Sequence, residues 1–188
     1  KKLHVGICVT SPLVRNISTI ARAAESLSEV GSYRRFTLGL GVGGLQDLQK
    51  LGLQVARPYG ILRNATVLLR AMGGGKALTF NEGVFEFKQY QARCSPKHEI
   101  PIFFGVRGPK LLRLAGEISD GIILSGPKAY VKKSVHLVQD AIKESENPAR
   151  NFRFVLWVPT ILVEKAEDLA LVKNTVAYVL ADTPREVL

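Results

Sequence analysis

The sequence of 188 residues lacks the features that mark several large classes of protein. No run approaches the ~18 consecutive apolar residues of a membrane-spanning helix, so we expect no membrane segment. The two cysteines, Cys8 and Cys94, are too few for a disulfide framework and lack metal-site spacing, which favours a reducing, cytoplasmic location. The three histidines are scattered, with no HExxH or similar cluster, so we expect no metal site.

Acidic side chains are scarce beside basic ones, 16 against 26, which gives a formal net charge of +10. A basic balance attracts nucleic acids, anionic surfaces or phosphorylated ligands. The basic runs are only pairs, such as Lys132-Lys133, and no stripe interleaves with aromatic residues, so we expect no nucleic-acid partner. The charge predicts a solvated basic surface or a polyanionic small ligand.

Apolar runs that suit buried strands alternate with segments of helical periodicity, which is typical of a parallel α/β sheet. The predicted strands are Lys2–Thr10, Arg35–Val42, Ile100–Phe104, Gly121–Leu124 and Phe152–Val163, with a hairpin over Lys76–Phe87. The predicted helices are Asn16–Glu29, Leu45–Leu51, Pro58–Met72, Leu111–Ser119, Ala129–Glu144 and Glu164–Ala181. The last helix is expected to bury Leu169, Val172, Val176 and Val179.

Two α/β architectures remain open at this point. Gly39–Gly44 matches GxGxxG directly after a strand, as in a dinucleotide-binding fold. However, the helix that follows is short, and no acidic residue stands where a second strand would hold a ribose. A (β/α) barrel is the alternative, but five major strands do not close an eight-stranded barrel.

The segment Gly105–Gly126 joins a buried strand, a glycine turn with Pro109 and Lys110, a helix and a second strand. Free N–H groups at a helix N-terminus, a nearby lysine and glycines that permit close approach can bind an anion. An ordinary turn between a strand and a helix, with glycine and proline as punctuation, is equally compatible with the spacing. Glu117 and Asp120 further along suggest a helix-end pair that packs or caps.

Three segments resemble the luciferase-like flavin and deazaflavin oxidoreductases. GVRGPKLLRLAGEISDGIILS is similar to the family's GPK…LAGE…ADGV stretch. Gly6–Pro12 with Arg15-Asn16 resembles its G-x-x-VTNPYTRNP segment, and Phe36–Gly44 resembles its glycine-rich strand end. Within the family, the motifs resemble most the methylenetetrahydromethanopterin reductase branch, which uses the deazaflavin coenzyme F420.

The resemblance implies an α/β fold, a (β/α)₈ TIM barrel of the luciferase-like type. It aligns the chain with barrel strands 3 to 7 plus a small hairpin insertion. Residues 1–188 would then form a single, incomplete barrel domain that lacks its first two and its last βα units.

The resemblance also assigns cofactor-binding residues. A non-prolyl cis peptide would fall at Cys8-Val9, beside the deazaflavin ring, and the phosphate would lie near Lys110. It implies departures too, because Ile17, Gly44 and Arg107 stand where the family often has proline, aspartate and glutamine. The full set of implied cofactor-binding residues is Cys8, Val9, Thr10, Ser11, Gly41, Val42, Gly43, Gly105, Val106, Gly108, Pro109 and Lys110.

The implied activity is hydride transfer between reduced F420 and a one-carbon pterin. The alternatives are an FMN-dependent luciferase-like monooxygenase and a truncated, non-catalytic flavin- or phosphate-binding protein. The implied partners are a small-molecule substrate and further copies of the chain, as a dimer or tetramer. No general acid or base is assigned within these residues.

Overall fold

Five parallel strands form one curled sheet in the computed structural model of the chain. The structure describes residues 3–31, 35–53, 57–92, 98–148, 151–158, 160 and 162–181. The sheet runs in the order β1-β2-β5-β6-β7, and a separate antiparallel hairpin pairs β3 with β4. The strands are β1 (Val5–Thr10), β2 (Phe36–Leu40), β3 (Leu78–Glu82), β4 (Phe85–Tyr90), β5 (Ile102–Phe104), β6 (Gly121–Leu124) and β7 (Arg153–Leu156).

The described residues form six helices, five of them between strands and the sixth after the last strand. They are α1 (Ile17–Val30), α2 (Leu45–Lys50), α3 (Pro58–Gly73), α4 (Pro109–Ile118), α5 (Lys128–Glu144) and α6 (Leu169–Ala181), the last preceded by a 3₁₀ turn at Ala166–Asp168. Helix α1 packs against α3, α3 against α4, and α4 against α5.

The strand order decides between the two architectures. Each new strand of the large sheet is added on the same side as the one before, so spatial order follows sequence order without a reversal. A doubly wound nucleotide fold needs a point at which the strand order reverses. The sheet is therefore part of a barrel, and the GxGxxG match at Gly39–Gly44 does not mark a dinucleotide-binding fold.

The core lies between the sheet and the helices. Alternate residues of each strand face the helices, because side chains alternate across a strand. Leu40, Phe104 and Ile122 are fully buried in this layer. Helices α1, α3 and α4 cover them with apolar stripes that include Ile17, Ile20, Ala24, Leu62, Leu68, Leu112 and Leu114.

The predicted C-terminal elements were too long and wrongly placed. The strand expected over Phe152–Val163 covers only Arg153–Leu156. Among the described residues its one strand partner is β6, which is four residues long. The helix begins at Leu169 instead of Glu164. The carboxylate of Asp168 accepts the backbone N–H groups of Glu164 (3.3 Å) and Lys165 (3.0 Å), which favours a turn before the helix.

The expected buried side of α6 was also wrong. Leu169 and Val176 are 54% and 49% exposed. The side chain of Val179 lies outside the described residues, as does Cys94. Within the described part of the chain, no helix is both long and apolar enough to span a bilayer.

The two outer strands of the sheet carry exposed apolar side chains. Val5 of β1 is 61% exposed, and Leu156 of β7 is 57% exposed. The neighbouring Trp157 and Val158 are exposed as well. Each outer strand also has only one strand neighbour among the described residues, so both edges offer unpaired backbone groups to a further strand.

Candidate functional site at the carboxyl edge of the sheet

Four loops meet where the strands of the sheet end. Ser11 follows β1, Gly41 follows β2, Gly105 follows β5 and Ser125 follows β6. Because these strands are parallel, their carboxyl ends lie along one edge. Barrels and open α/β sheets place their ligands at this edge. The structure thus brings together the three segments that the resemblance assigned to a coenzyme.

The peptide bond between Cys8 and Val9 is cis, at the position that the resemblance implied. The pairing register of β1 and β2 is irregular across it. The Val9 side chain lies against glycines of the neighbouring strand ends. A Cβ atom built on Gly41 would lie 2.7 Å from Val9 Cγ2, and one built on Gly105 would lie 2.6 Å from Val9 Cγ1. These glycines therefore make the room that Val9 occupies.

Thr10 and Ser11 hold the loop after β1 in place. Ser11 Oγ donates a hydrogen bond to the carbonyl of Val42 (2.8 Å) and accepts one from the Leu13 N–H (3.2 Å). Thr10 Oγ1 accepts a hydrogen bond from Arg15 Nη1 at 3.4 Å. Both residues are buried. The Ser11 hydroxyl therefore ties the first two loops together, whereas the Thr10 hydroxyl binds within the first loop, and both side chains present little surface to a ligand.

The backbone N–H groups of this edge differ in whether they are free to bind a ligand. The N–H of Gly41 donates to the Thr10 carbonyl (3.0 Å), and that of Gly105 donates to the Leu40 carbonyl (2.8 Å). Both are used within the sheet and cannot also serve a phosphate. Val106 buries its side chain in the core, so only its backbone faces the loop.

The start of α4 is more open. Gly108 precedes the helix at φ 85°, and a Cβ atom built there meets nothing within 4 Å. No side chain of the described residues caps this helix, and its first turn contains no acidic residue. Pro109 and Lys110 are exposed. Unsatisfied N–H groups with a lysine in the first turn form an arrangement that attracts an anion.

The loop after β6 and the start of α5 supply polar partners for the loop after β5, and the sequence did not reveal these contacts. Arg107 Nη2 donates to Ser125 Oγ at 3.2 Å, and the Gly108 N–H donates to Tyr130 Oη at 3.4 Å. These contacts join residues 18 and 22 positions apart. The only sequence signal for a role of this loop was that Ser125-Gly126 directly follows a strand, as Gly105 follows the preceding strand.

Cys8 is exposed at this edge, yet desolvation by the surrounding protein raises the pKa of its thiol. A raised pKa keeps the thiol neutral and unreactive near neutral pH. Among the described residues, no group of three or more histidine, cysteine, aspartate or glutamate side chains could hold a metal ion.

The opposite, amino edge of the sheet borders a cavity of about 270 Å³, whose lining includes residues of α1 and α3. Two of its charged lining residues, Arg70 and Glu99, already pair with each other. Arg70 Nη2 also binds Asp120 Oδ2 at 3.0 Å, and Asp120 Oδ2 accepts the Ile102 N–H at 2.8 Å. Asp120 is thus a structural residue, as expected of a packing or capping group, whereas Glu117, expected to form a pair with it, is exposed on α4.

The residues at the carboxyl edge fit a flavin-like coenzyme with a phosphate. The glycine-backed Val9 presents a small apolar surface near the cis peptide, which suits a flat ring. The start of α4 offers Lys110 and open backbone, which suit an anionic group. Arg107 adds a second cation on the same loop.

Comparison with known proteins finds similar sequences. A sequence model of the family described as luciferase-like monooxygenase matches residues 1–180. The 5,10-methylenetetrahydromethanopterin reductase of Archaeoglobus fulgidus is 28% identical over 192 aligned positions, which cover 100% of this chain and 57% of that protein. The chain therefore spans little more than half the length of this relative.

Solved structures agree on the fold. The coenzyme F420-dependent tetrahydromethanopterin reductase of Methanopyrus kandleri superposes with a TM-score of 0.82 and 18% identity, over 96% of this chain and 57% of that one. The monooxygenase RslO1 of Streptomyces bottropensis superposes with a TM-score of 0.73 and 11% identity, over 93% and 55%. The fold is thus an incomplete TIM barrel of the luciferase-like type.

Proposed function

The chain belongs to the luciferase-like monooxygenase family, and from this premise we propose that it is the coenzyme-binding part of an oxidoreductase. The proposed reaction is hydride transfer between reduced coenzyme F420 and a one-carbon pterin. The observation that carries the proposal is the carboxyl edge, where Val9, packed against Gly41 and Gly105, and the basic start of α4 lie along the same edge of the sheet. The similarity to a methylenetetrahydromethanopterin reductase over the whole chain supports the choice of substrate class.

The roles of the residues follow from their contacts. Bound F420 would supply the hydride carrier, whose chemistry belongs to the coenzyme. Val9 would support the ring, because glycines hold its side chain at the carboxyl edge. Lys110 and the uncapped start of α4 would bind the phosphate. Ser11 would keep the first two loops at a fixed distance through its hydrogen bond to Val42.

The proposal includes a complete barrel. We infer that the working domain contains the first two βα units and the last one in addition to the strands described here. The exposed apolar side chains on β1 and β7 support this, because added strands would cover both open edges. An intact mass well above the 20.6 kDa of this sequence would agree with a complete barrel. A mass equal to it would favour a non-catalytic binding protein.

An FMN-dependent monooxygenase is the second candidate. The likeness of fold to the monooxygenase RslO1 and the two cationic side chains, Arg107 and Lys110, on the proposed phosphate loop favour it. FMN carries a terminal phosphate with more negative charge than the phosphate diester of F420. Hence the same edge could hold either coenzyme, and the distinction has to come from binding.

Fluorescence titration of the purified protein with F420 and with FMN tests these proposals. We expect F420 to bind at least tenfold more tightly than FMN and reduced F420 to be oxidised when methylenetetrahydromethanopterin is added. Tighter binding of FMN, with oxygen consumption in the presence of a reductant, would support the monooxygenase instead. Binding of neither coenzyme would contradict both candidates.

A further inference from the structure

The cavity of about 270 Å³ beside α1 and α3 has an apolar floor and charged groups near the surface. Leu38 of β2, Met72 of α3 and Ile102 of β5 line its floor and are buried in the core. Arg22 of α1 lines it as well and is exposed, so the cavity extends from the surface of the helix layer down to the sheet. A space of this size and lining suits the apolar body of a small molecule.

The cavity does not result from the open edges of the sheet. Its strand residues come from β2 and β5, which are second and third in the strand order. In the part of the chain that the structure describes, neither outer strand, β1 or β7, contributes to its lining. Strands added beside β1 or β7 would therefore leave its walls in place. The proposed coenzyme site lies at the other edge of the sheet, so the cavity is a separate site.

The charged side chains around the cavity differ in their partners. Arg70 pairs with Glu99 and with Asp120, so these ions already have partners within the protein. Arg22 and Glu25 also line the cavity, and neither has an ionic or hydrogen-bonding partner among the described residues. Glu25 is half-buried, and a charge partly withdrawn from water is attracted more strongly to an opposite charge. A ligand can therefore gain an ion pair with each of these two side chains.

The carboxyl end of α3 adds a further group that favours a cation. Gly73 and Gly74, at the end of this helix, line the cavity. The last carbonyl groups of a helix carry a partial negative charge, which attracts a cation. The cavity thus offers Glu25 and a helix end to a positive group, and Arg22 to a negative one.

We propose that this cavity binds a small zwitterion with an apolar body, which is the chemistry of a free apolar or aromatic α-amino acid. The ammonium group pairs with Glu25 beside the end of α3, and the carboxylate pairs with Arg22. The apolar side chain lies among Leu38, Met72 and the Tyr90 ring, all of which line the cavity. The site goes beyond the proposed activity and does not depend on it, since no coenzyme takes part in the binding.

Three ligands with the same aromatic body test the proposal in a saturation-transfer NMR titration of the purified protein. L-Phenylalanine carries both charges, phenethylamine lacks the carboxylate, and phenylpropionate lacks the ammonium group. We expect L-phenylalanine to bind with a dissociation constant on the order of 1 mM, and each of the others to bind at least about threefold more weakly. If either analogue bound as tightly as L-phenylalanine, or if neither L-phenylalanine nor L-leucine bound at about tenfold that concentration, the proposal would be overturned.

Charge variants identify the two ends of the ligand. Glu25→Gln and Arg22→Gln should each weaken L-phenylalanine about threefold. Glu25→Gln should also remove most of the difference between L-phenylalanine and phenylpropionate, because the two ligands differ only at the ammonium group. Arg63→Gln is the matched control, since Arg63 is an exposed cation of α3 outside the cavity lining. A Glu25→Gln protein that kept the full difference between the ligands would contradict the assignment.

A filled cavity tests the location of the site. Ala21 of α1 is half-buried and lines the cavity, so Ala21→Leu should place its added carbons there and weaken all three ligands at least about tenfold. Ala23→Leu adds the same carbons at an exposed position of α1 outside the lining and should change nothing. An unchanged melting temperature shows that each variant is folded, and the exposed charge variants decide the matter if Ala21→Leu is not. Undiminished binding by folded Ala21→Leu would place the ligand elsewhere and overturn the proposal.

Discussion

The two edges of the same sheet are built in opposite ways. At the amino edge, Arg70 binds the Asp120 carboxylate, and that carboxylate accepts the Ile102 N–H, so charged groups there have protein partners. At the carboxyl edge, α4 begins without a side-chain cap and Gly108 faces open space. Satisfied polar groups stabilise a fold, whereas unsatisfied ones are available to a ligand.

The contrast separates stability from binding along one set of strands. The connections at the amino edge hold a helix end and two strands together. Those at the carboxyl edge hold loops in position but leave cations and backbone groups exposed. Barrels commonly place their chemistry at the carboxyl ends of the strands and stabilising contacts at the other end. We therefore expect variants at the two edges to change different measurements.

Gly39→Ala should have the largest effect, because a side chain at this position would collide with the backbone of the neighbouring strand β1. A Cβ atom there would lie 1.9 Å from the carbonyl oxygen of Ile7 and 3.1 Å from Val9 Cγ1. Strand β1 would have to move away from β2. We expect the free energy of unfolding to fall by about 3 kcal/mol and coenzyme affinity to fall with it, measured by urea denaturation and fluorescence titration.

Gly60→Ala is the matched control for that variant. Gly60 lies in α3, and a Cβ atom there meets nothing within 4 Å. Alanine is the better helix former, so the free energy of unfolding should stay the same or rise by up to about 1 kcal/mol. If Gly39→Ala left the free energy of unfolding as unchanged as this control does, the packing of β1 on β2 would not require a glycine at position 39.

Asp120→Ala should lower stability without changing binding. It leaves the Ile102 N–H without its acceptor and removes one of the two carboxylates that pair with Arg70, and we expect a loss of about 2 kcal/mol in the free energy of unfolding. Coenzyme affinity should stay within twofold of the wild-type value. Asp140→Ala removes an exposed carboxylate paired with Lys143 and should cost less than about 0.5 kcal/mol. A large loss of affinity in Asp120→Ala would contradict the separation of the edges.

Lys110→Ala should weaken coenzyme binding without lowering stability. The side chain is exposed in the first turn of α4, so its loss should leave the free energy of unfolding nearly unchanged. We expect affinity for the phosphorylated coenzyme to fall about tenfold, which equals about 1.4 kcal/mol. Lys143→Ala removes an exposed lysine near the end of α5 and should leave the affinity unchanged. Equal affinities in all three proteins would exclude Lys110 from the site.

The reactivity of Cys8 should show the smallest effect. Desolvation raises the pKa of its thiol because the charged thiolate is disfavoured away from water. The pH profile of alkylation by iodoacetamide, in a Cys94→Ser background, should therefore have its midpoint above that of a free cysteine. Added coenzyme should slow the reaction if the ring lies beside Cys8. A midpoint at or below that of free cysteine would contradict the raised pKa.

Much of the central fold could be predicted from the sequence. The strands Ile102–Phe104 and Gly121–Leu124 are short, wholly apolar runs, and the helix between them, α4, repeats apolar residues on one face. Burial on both sides makes such segments recognisable. The prediction failed at β7 and α6, where Phe154, Leu156 and Leu169 are apolar but exposed. Apolar composition indicates that a surface is to be covered, but it does not say which residues cover it.

The candidate site likewise has a part that the sequence predicts and a part that it does not. Gly108, Pro109 and Lys110 form a local pattern, because a glycine turn, a proline and a lysine at the start of a helix are adjacent in the chain. The links from Arg107 to Ser125 and from Gly108 to Tyr130 are not local, and nothing in the spacing of these residues indicates them. The fit of Val9 against Gly41 and Gly105 likewise depends on strands far apart in the sequence.

The sequence by itself determined the class of fold, the position of the basic helix start and, through its resemblance to a family, the position of the cis peptide. These depend on periodicity and on short motifs, which act over a few residues. Only the tertiary structure decided that the strands add in sequence order, that Asp120 belongs to the stable amino edge, and that Arg107 contacts the neighbouring loop. Such contacts depend on which strands become neighbours, and parallel pairing brings together loops that local sequence signals cannot relate.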